Sequence, residues 1–262
     1  MNRYLKIFFD LGKFSMMGAM EYRANVLFTG SFKLIESIAS FVIIFLLVSL
    51  TSGIAEWSKS EVLLISLTFT LTTALTAFFV LLGMKQFAKE LNIGNIDRYL
   101  LKPINTQFYA SLSQWDWSQV FRIIGSIFGI CLVIRGLNYS LPLINIAAYI
   151  ILVFTSVLTV YGFAFIIISL VLFSGRIRNI DYLAMILWEP GKWPTSVFSG
   201  FWRIFFSVVI PVWFAATVPV GILTGKYSFS VLVGAMFFTL LTILLSNFFL
   251  NFGIKKYSSA GG

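Results

Sequence analysis

The residue types that carry most enzyme chemistry are scarce in this chain. Its 262 residues include no histidine and one cysteine, Cys131, whereas histidine is the commonest general base and metal ligand near neutral pH. The ten acidic residues are spread along the chain, without the paired acids or Ser/His pair that an intramembrane protease would need. We therefore predict no catalytic residue and no metal site, and we expect the chain not to be an enzyme.

A nucleotide site is not predicted either. A phosphate-binding loop has the form GxxxxGK[ST], in which glycine backbone and lysine hold the phosphates. The three Gly-Lys pairs begin at Gly12, Gly191 and Gly225, and they are followed by Phe, Trp and Tyr. We expect no cofactor in this chain, so any energy from ATP would have to come from another chain.

The composition is that of a membrane protein. Hydrophobic residues make up 59% of the chain and charged residues 11%, and the mean hydropathy is +0.93, whereas soluble domains carry roughly 25% charged residues. The apolar residues form long runs, such as 37–55 and 62–84, rather than the short alternating segments of a β-barrel. We predict an all-α polytopic membrane protein that forms one domain over residues 1–262 and contacts the lipid bilayer.

Hydropathy predicts six transmembrane helices, because each crossing takes about 20 residues. The predicted spans are 34–55, 62–84, 119–136, 144–173, 203–224 and 229–252. Six crossings put both termini on one side, together with all of the 19 basic residues except Lys59, Arg135 and Lys226. Basic residues concentrate in cytoplasmic loops, so the N- and C-termini are predicted to be cytoplasmic. This asymmetry accounts for the net charge of +9, and we expect no nucleic acid partner.

Two arrangements are open for residues 180–225, which prolines interrupt at positions 190, 194, 211 and 219. Proline breaks helical hydrogen bonding. In one arrangement 203–224 is a single span. In the other, 180–196 crosses outward, and 203–223 enters the membrane from outside and returns as a broken helical pair shielded by protein. Both arrangements leave the C-terminus on the cytoplasmic side, so counting charges does not separate them.

Two segments outside the spans are amphipathic. In residues 1–30 aromatic and basic positions alternate, which predicts a helix lying in the membrane interface. The second segment is the predicted cytoplasmic loop at 85–117, where charged residues alternate with apolar ones. Gly94 and Pro103 bracket a short helix within this loop, and such a helix would suit docking onto a partner.

The short helix has a distinct apolar face. Ile96, Tyr99 and Leu100 are spaced i, i+3 and i+4, which places them on one side of a helix. We predict that this side contacts a partner, with Asp97, Arg98 and Lys102 at its rim, where charges set orientation. The alternative is that the loop folds back on the interfacial helix of this chain.

Inside the spans the sequence predicts packing rather than charge. Gly125 and Gly129 form a GxxxG pair, which lets helix backbones approach closely. A second small-residue stripe repeats every fourth position, at Thr68, Thr72 and Thr76; lining a path for cargo is its alternative role.

Ionisable groups are expected at the span ends. Lys33 and Glu36 are predicted to form an interfacial ion pair, and Arg122 and Arg135 to reach the headgroups from the ends of the third span. We therefore expect no charge in the middle of the membrane, which favours an amphipathic or lipid-like cargo.

At this point the sequence resembles permease subunits of bacterial ATP-binding-cassette (ABC) exporters of the second type, over nearly its whole length. The resemblance rests on Glu21-Tyr22-Arg23-Ala24-Asn25 before the first span and on Asp-Arg-Tyr-Leu-Leu-Lys-Pro within 94–105. It also rests on Ile210-Pro211 and Val218-Pro219 near the end. It implies an interfacial N-terminal helix, a cytoplasmic coupling helix and a re-entrant helical segment before the last span. On this ground we favour the broken-helix arrangement of 203–223.

The resemblance also implies partners. Family members work as two permease subunits, identical or homologous, on two ATPase subunits that hold the ATP and Mg, and the complex works by alternating access. The coupling residues would be Ile96, Asp97, Arg98, Tyr99, Leu100, Lys102 and Pro103, and the chain would lie in the bacterial inner membrane. The rival classes are a secondary carrier or channel without an ATPase, a membrane-embedded enzyme and a non-transporting assembly subunit.

Overall fold

The computed structural model describes residues 2–51, 53–137, 141–174 and 179–255. In these ranges five helices are long and apolar enough to cross a membrane: α2 (Arg23–Ser49), α3 (Lys59–Ile93), α6 (Trp117–Arg135), α7 (Leu143–Phe173) and α11 (Phe229–Ile254). The only strands in the described ranges are Gly53–Ile54 (β1) and Trp57–Ser58 (β2), which pair antiparallel between α2 and α3. The prediction of an all-α polytopic membrane protein is confirmed.

The shorter helices lie between these five or before them. They are α1 (Asn2–Glu21), α4 (Asp97–Leu100), α5 (Thr106–Leu112), α8 (Ile180–Ile186), α9 (Gly200–Val209) and α10 (Thr217–Leu223). Residues 94–117 lie at one end of α3, and the two strands lie at the other. We call these the loop end and the strand end of the bundle.

Helix α3 is the central element, and local sequence fixes both of its ends. At its start the Ser58 backbone N–H donates to the Glu61 carboxylate at 2.7 Å, one half of a capping box. At its far end Gly94 adopts φ 72°, the left-handed conformation that glycine takes without strain after a helix. A π-helical turn at Ala77–Leu81 interrupts the regular bonding in between, and such turns are frequent at functional sites.

The N-terminal helix is shorter than the sequence predicted. The chain turns at Tyr22, and α2 begins at Arg23 and ends at Ser49. The predicted boundaries of 1–30 for the interfacial helix and 34–55 for the first span are therefore displaced. Helix α1 packs on the loop end: Phe8 lies 4.9 Å from the Trp115 ring, and the Ser15 hydroxyl donates to the Trp115 carbonyl at 2.9 Å. Its opposite face exposes Phe9 and Phe14, as an interfacial helix requires.

Residues 180–197 cross the bundle without forming a continuous helix. Ile180 packs in the same buried cluster as Phe87 near the loop end. Sixteen residues later, the Trp57 indole N–H donates to the Ser196 hydroxyl at the strand end, at 3.2 Å. Only α8 and short 3-10 turns at Glu189–Lys192 and Thr195–Val197 lie between these points, because Pro190 and Pro194 cannot donate backbone hydrogen bonds.

Residues 198–226 then form a re-entrant pair. Helix α9 ends before Pro211, and the turn that follows reaches the middle of α3, where the Thr72 hydroxyl donates to the Ala215 carbonyl at 3.0 Å. Helix α10 returns to the strand end, where Lys226 lies 2.8 Å from Glu61. The prediction of a single span at 203–224 is therefore wrong, and the broken-helix alternative describes the chain.

The most extensive helix packing in the described ranges joins α7 and α11. A Cβ placed on Gly162 would lie 3.1 Å from the Thr242 backbone carbonyl, so the two backbones are nearly in contact there. Three residues earlier on each helix, the hydroxyls of Thr159 and Thr239 lie 2.8 Å apart. Small and hydroxyl side chains allow this close approach. It matters in a membrane because burying an apolar side chain between helices is no more favourable than leaving it in lipid.

Candidate coupling site

The segment 94–105 is ordered by two side chains that point into the protein. Ile96 is fully buried and Tyr99 is 2% exposed. The Tyr99 ring lies edge-on to Phe87 of α3, with centroids 5.0 Å apart, and 5.8 Å from Tyr109 of α5. The predicted partner-facing surface made by Ile96, Tyr99 and Leu100 is therefore wrong for its first two members. The apolar face is covered by α3 and α5 of this chain, rather than by a partner or the interfacial helix.

A buried carboxylate ties this segment to α3. Glu90 is 7% exposed and accepts from Arg98 at 3.0 Å, from the Asn95 amide at 3.0 Å and from the Gln86 amide at 2.8 Å. Charge-assisted bonds of this kind are the stronger ones in proteins. Glu90 could not be recognised from sequence, because only its inward position on α3 distinguishes it from the other charged residues of the loop.

Arg98 contacts Tyr99 at both its hydroxyl and its ring. The Arg98 guanidinium donates to its hydroxyl at 3.1 Å and lies 4.9 Å from the ring centroid. Burial raises the pKa of the Tyr99 hydroxyl above its ordinary value, and the Arg98 bond opposes this only partly. The hydrogen bond to Tyr99 also raises the pKa of Arg98. Both groups therefore keep their protons near neutral pH, and the contact persists across the physiological range.

The rest of the segment forms an exposed surface, which we call the tip. Leu101 is 84% exposed and Leu100 is 36% exposed. The tip also includes the exposed residues Asp97, Arg98, Lys102 and Pro103. It therefore combines two apolar side chains with charges of both signs, on a base fixed by Ile96, Tyr99 and Glu90.

The residues after the tip connect it to other helices. The Asn105 side chain accepts from the Phe108 backbone N–H at 2.9 Å, which caps α5. On α5, the Gln107 amide donates to the Ser246 hydroxyl of α11 at 2.8 Å. Arg3 of α1 donates to the Pro103 carbonyl at 2.7 Å. A displacement of the tip would therefore move its contacts with α1, with α3 through Glu90, and with α11 through α5.

An ion pair anchors α2 beside the loop end. Lys33 lies 2.6 Å from Asp116, so the predicted pair between Lys33 and Glu36 is wrong. Burial alone would raise the pKa of Asp116, but hydrogen bonds from Lys33 and Ser118 outweigh it, and the pKa is lowered. The pair forms across the chain because Asp116 precedes the first turn of α6, where its carboxylate accepts from the Ser118 backbone N–H.

The threonine stripe lies in the interior of the bundle. Thr68, Thr72 and Thr76 are all buried. The Thr68 hydroxyl lies 2.8 Å from the Tyr149 hydroxyl of α7, and Thr76 donates to the Thr72 carbonyl. The stripe thus faces α7 and the re-entrant turn.

The two glycines of the GxxxG pair meet side chains rather than backbone. A Cβ on Gly125 would lie 2.7 Å from the Leu34 methyl of α2, and one on Gly129 would lie 2.9 Å from a Leu67 methyl of α3. The expected backbone contact is therefore not made at these positions. Close backbone approach occurs instead at Gly162 and at Gly83, whose Cβ would press against the Ala110 carbonyl.

In the described ranges, five long apolar helices, a broken crossing, a re-entrant pair and an ordered loop define a polytopic membrane protein. Residues 34–261 match the family model described as ABC-2 family transporter protein, and the chain belongs to this family. It is an ABC-2 type permease, the membrane subunit of an ABC transporter, and the family implies association with ABC ATPase subunits. Searches of curated proteins and of solved structures gave no match.

Proposed function

We propose that this chain is the membrane-spanning subunit of an ATP-driven exporter, that one permease domain comprises residues 1–262, and that its tip docks an ATPase dimer. Hydrolysis of ATP, with its Mg, takes place on that separate subunit. The observation that carries the proposal is the exposed tip on a buried, ion-paired base. A surface that transmits force needs such a base, since a mobile loop would absorb the movement.

The proposed mechanism is alternating access with a second permease subunit, identical or homologous. Closure of the ATPase dimer pushes the tip, and Glu90 and Tyr99 pass the displacement to α3. The π-helical turn at Ala77–Leu81 lies between this contact and the half of α3 that holds the re-entrant turn. Helix α2 supports pairing, because most of it is exposed and strongly apolar.

The loop end is assigned to the cytoplasm of a bacterial inner membrane, with both termini on that side. Its support is the concentration of basic residues in α1 and in the loop, which is typical of cytoplasmic segments. The broken crossing changes the side expected for one basic residue. Arg203 was predicted on the cytoplasmic side, but it belongs to α9, which begins after the strand-end contact of Ser196.

Replacing Leu100 and Leu101 together with aspartate tests the docking surface. Both side chains are exposed, so the membrane domain should fold, but charges introduced at a desolvated contact should release the ATPase. The measurement is the amount of ATPase that copurifies, together with its ATPase activity. Val197→Asp is the matched control, because Val197 is 46% exposed and lies beside the strand-end contact of Ser196. Undiminished ATPase binding by the double variant would contradict the proposal.

A further inference from the structure

Charged residues of three elements meet at one cavity between the spans. A polar cavity of about 110 Å³ is lined by Glu36 of α2, Arg122 of α6, and Glu189 and Lys192 of the broken crossing. Ser66 and Thr70 of α3 line it as well. At 1.5 Å per residue these two positions lie about 10 and 16 Å from the start of α3, inside a hydrocarbon core of ~30 Å. Glu36 lies one turn along α2 from Lys33 of the loop-end ion pair, and Arg122 donates to Gln119 in the first turn of α6. The two charges therefore lie one to two turns inside the loop end. Charges at this depth are costly and mark substrate or ion sites.

Two of the four charges lack an ionic partner within the described ranges. Lys192 and Glu189 pair with each other at 2.9 Å. Arg122 donates only to the Thr73 hydroxyl at 3.3 Å and to the Gln119 amide oxygen at 3.5 Å, and no described carboxylate lies within 4.0 Å of it. Glu36 is exposed and has neither a hydrogen bond nor an ion pair to any described residue. The carboxylates of Glu36, Glu189 and Asp116 act on the Arg122 charge only from a longer distance, so the cavity presents one positive and one negative group to a ligand.

An apolar crevice adjoins the polar cavity. It has a volume of about 460 Å³, lies between α2, α3 and α6, and includes Ile38, Phe41, Leu67 and Phe128 in its lining. Ser37 lines both spaces, so the two are neighbours on α2. Together they offer an apolar channel that ends at a pair of opposite charges.

We propose that these joined spaces bind an amphipathic molecule with a zwitterionic headgroup. Its anionic oxygens lie at Arg122, its ammonium group lies at Glu36, and its hydrocarbon chain follows the crevice. An anionic headgroup would leave Glu36 unpaired, and a cationic one would leave Arg122 unpaired, at a depth where unpaired charge is costly. The assignment of this ligand as the cargo rests on the proposed function, whereas the binding does not.

Binding can be measured on the full chain in maltoside micelles by fluorescence anisotropy. The probes are lysophosphatidylethanolamine with a fluorescent acyl chain and lysophosphatidylglycerol with the same chain, which lacks the amine. We expect tighter binding of the first. Glu36→Gln should weaken that binding at least about tenfold and leave the second unchanged. Ile38→Trp should weaken both by filling the crevice, and Glu56→Gln, an exposed acid outside the cavity, should change neither.

Several results would overturn the proposal. Equal affinity for the two probes, or binding that is unaffected by Glu36→Gln, would exclude the headgroup assignment. If Ile38→Trp left binding intact but separated permease dimers, the crevice would be an interface with a second copy and not a ligand site.

A further measurement tests whether the ligand is the cargo. The zwitterionic probe should stimulate the ATPase of the assembled transporter, and it should do so less in Glu36→Gln. Binding without stimulation would exclude the cargo assignment. Failure of the proposed docking would be detected separately, as loss of the ATPase from the copurified complex.

Discussion

Substitution of Gly162 by leucine should destabilise the bundle strongly. A Cβ at this position lies 3.1 Å from two atoms of Thr242 and 3.2 Å from the Ile243 nitrogen, all of them backbone atoms of α11. Carbon atoms prefer about 3.5–4.0 Å, so α11 must retreat by roughly half an ångström for Cβ alone and further for the rest of the leucine. Overpacking of this kind costs about 1–3 kcal/mol.

A retreat of α11 would also stretch the contact between Thr159 and Thr239, which lies one turn away at 2.8 Å. An interhelical hydrogen bond in a membrane contributes about 1 kcal/mol, so we expect a total loss of about 3 kcal/mol. Gly125→Leu should cost about 1 kcal/mol, because its neighbour is the end of the Leu34 side chain, which can rotate. Gly234→Leu is the control on α11, since nothing lies within 4 Å of its Cβ.

The assay is thermal unfolding of the three purified variants in one detergent at a fixed heating rate. A loss of 3 kcal/mol corresponds to a lowering of the Tm by about 6–12 °C for a chain of this size. We expect the melting temperature of Gly162→Leu to lie well below that of Gly125→Leu. The melting temperature of Gly234→Leu should be close to that of the unsubstituted protein. Equal melting temperatures for the first and last variants would refute the close approach of α7 and α11.

Three further substitutions probe the coupling site and the re-entrant pair. Glu90→Gln should lower coupled ATPase stimulation while the ATPase stays bound, because the charge that holds Arg98 is lost; unchanged stimulation would argue against force passing through this contact. Because burial of Asp116 is outweighed by hydrogen bonds from Lys33 and Ser118, which lower its folded pKa below the ordinary value, its ion pair stabilises the fold above the unfolded pKa, and this stabilisation is lost as the pH falls through the folded pKa. In Asp116→Asn, the melting temperature should therefore fall less steeply as the pH is lowered. An unchanged pH dependence of the melting temperature would contradict this prediction. Thr72→Val should cost about 1 kcal/mol by removing a bond to the re-entrant turn, and an unchanged melting temperature would contradict that contact.

The fold class was readable from composition because hydropathy reports on the solvent of each segment. The five continuous spans follow directly from long apolar runs. The broken crossing does not, because residues 180–197 are short of apolar length and carry Glu189 and Lys192. Proline positions showed where helices break, but not on which side of the membrane each piece lies; the contacts of Ser196 and Ala215 give that answer.

The short helix within 94–105 was predicted from sequence, but its orientation was reversed. The spacing of Ile96 and Tyr99 identifies one face of a helix, and it does not say whether that face meets the same chain or another. Here Phe87 and Tyr109 cover it, and the exposed apolar residues of the tip are Leu100 and Leu101. Replacement of Tyr99 by aspartate would therefore disturb the interior rather than test docking.

The charged cavity was missed for a similar reason. Glu36 and Arg122 each lie near the end of a predicted span, so each was expected at the headgroups. Glu189 and Lys192 belong to a segment that was predicted as a loop in one arrangement and as an outward crossing in the other. Only the broken crossing brings these four side chains to one cavity, and no local pattern in the sequence encodes a contact between residues so far apart along the chain.

The most direct test of the coupling role is site-specific cross-linking from position 101. A photoreactive phenylalanine analogue would replace Leu101 in the assembled transporter, and a second variant would carry it at Val197. We predict a covalent adduct with the ATPase subunit from position 101, with a yield that changes when ATP is added, and none from position 197. Stoichiometric copurification of the ATPase without any adduct from position 101 would contradict docking through the tip.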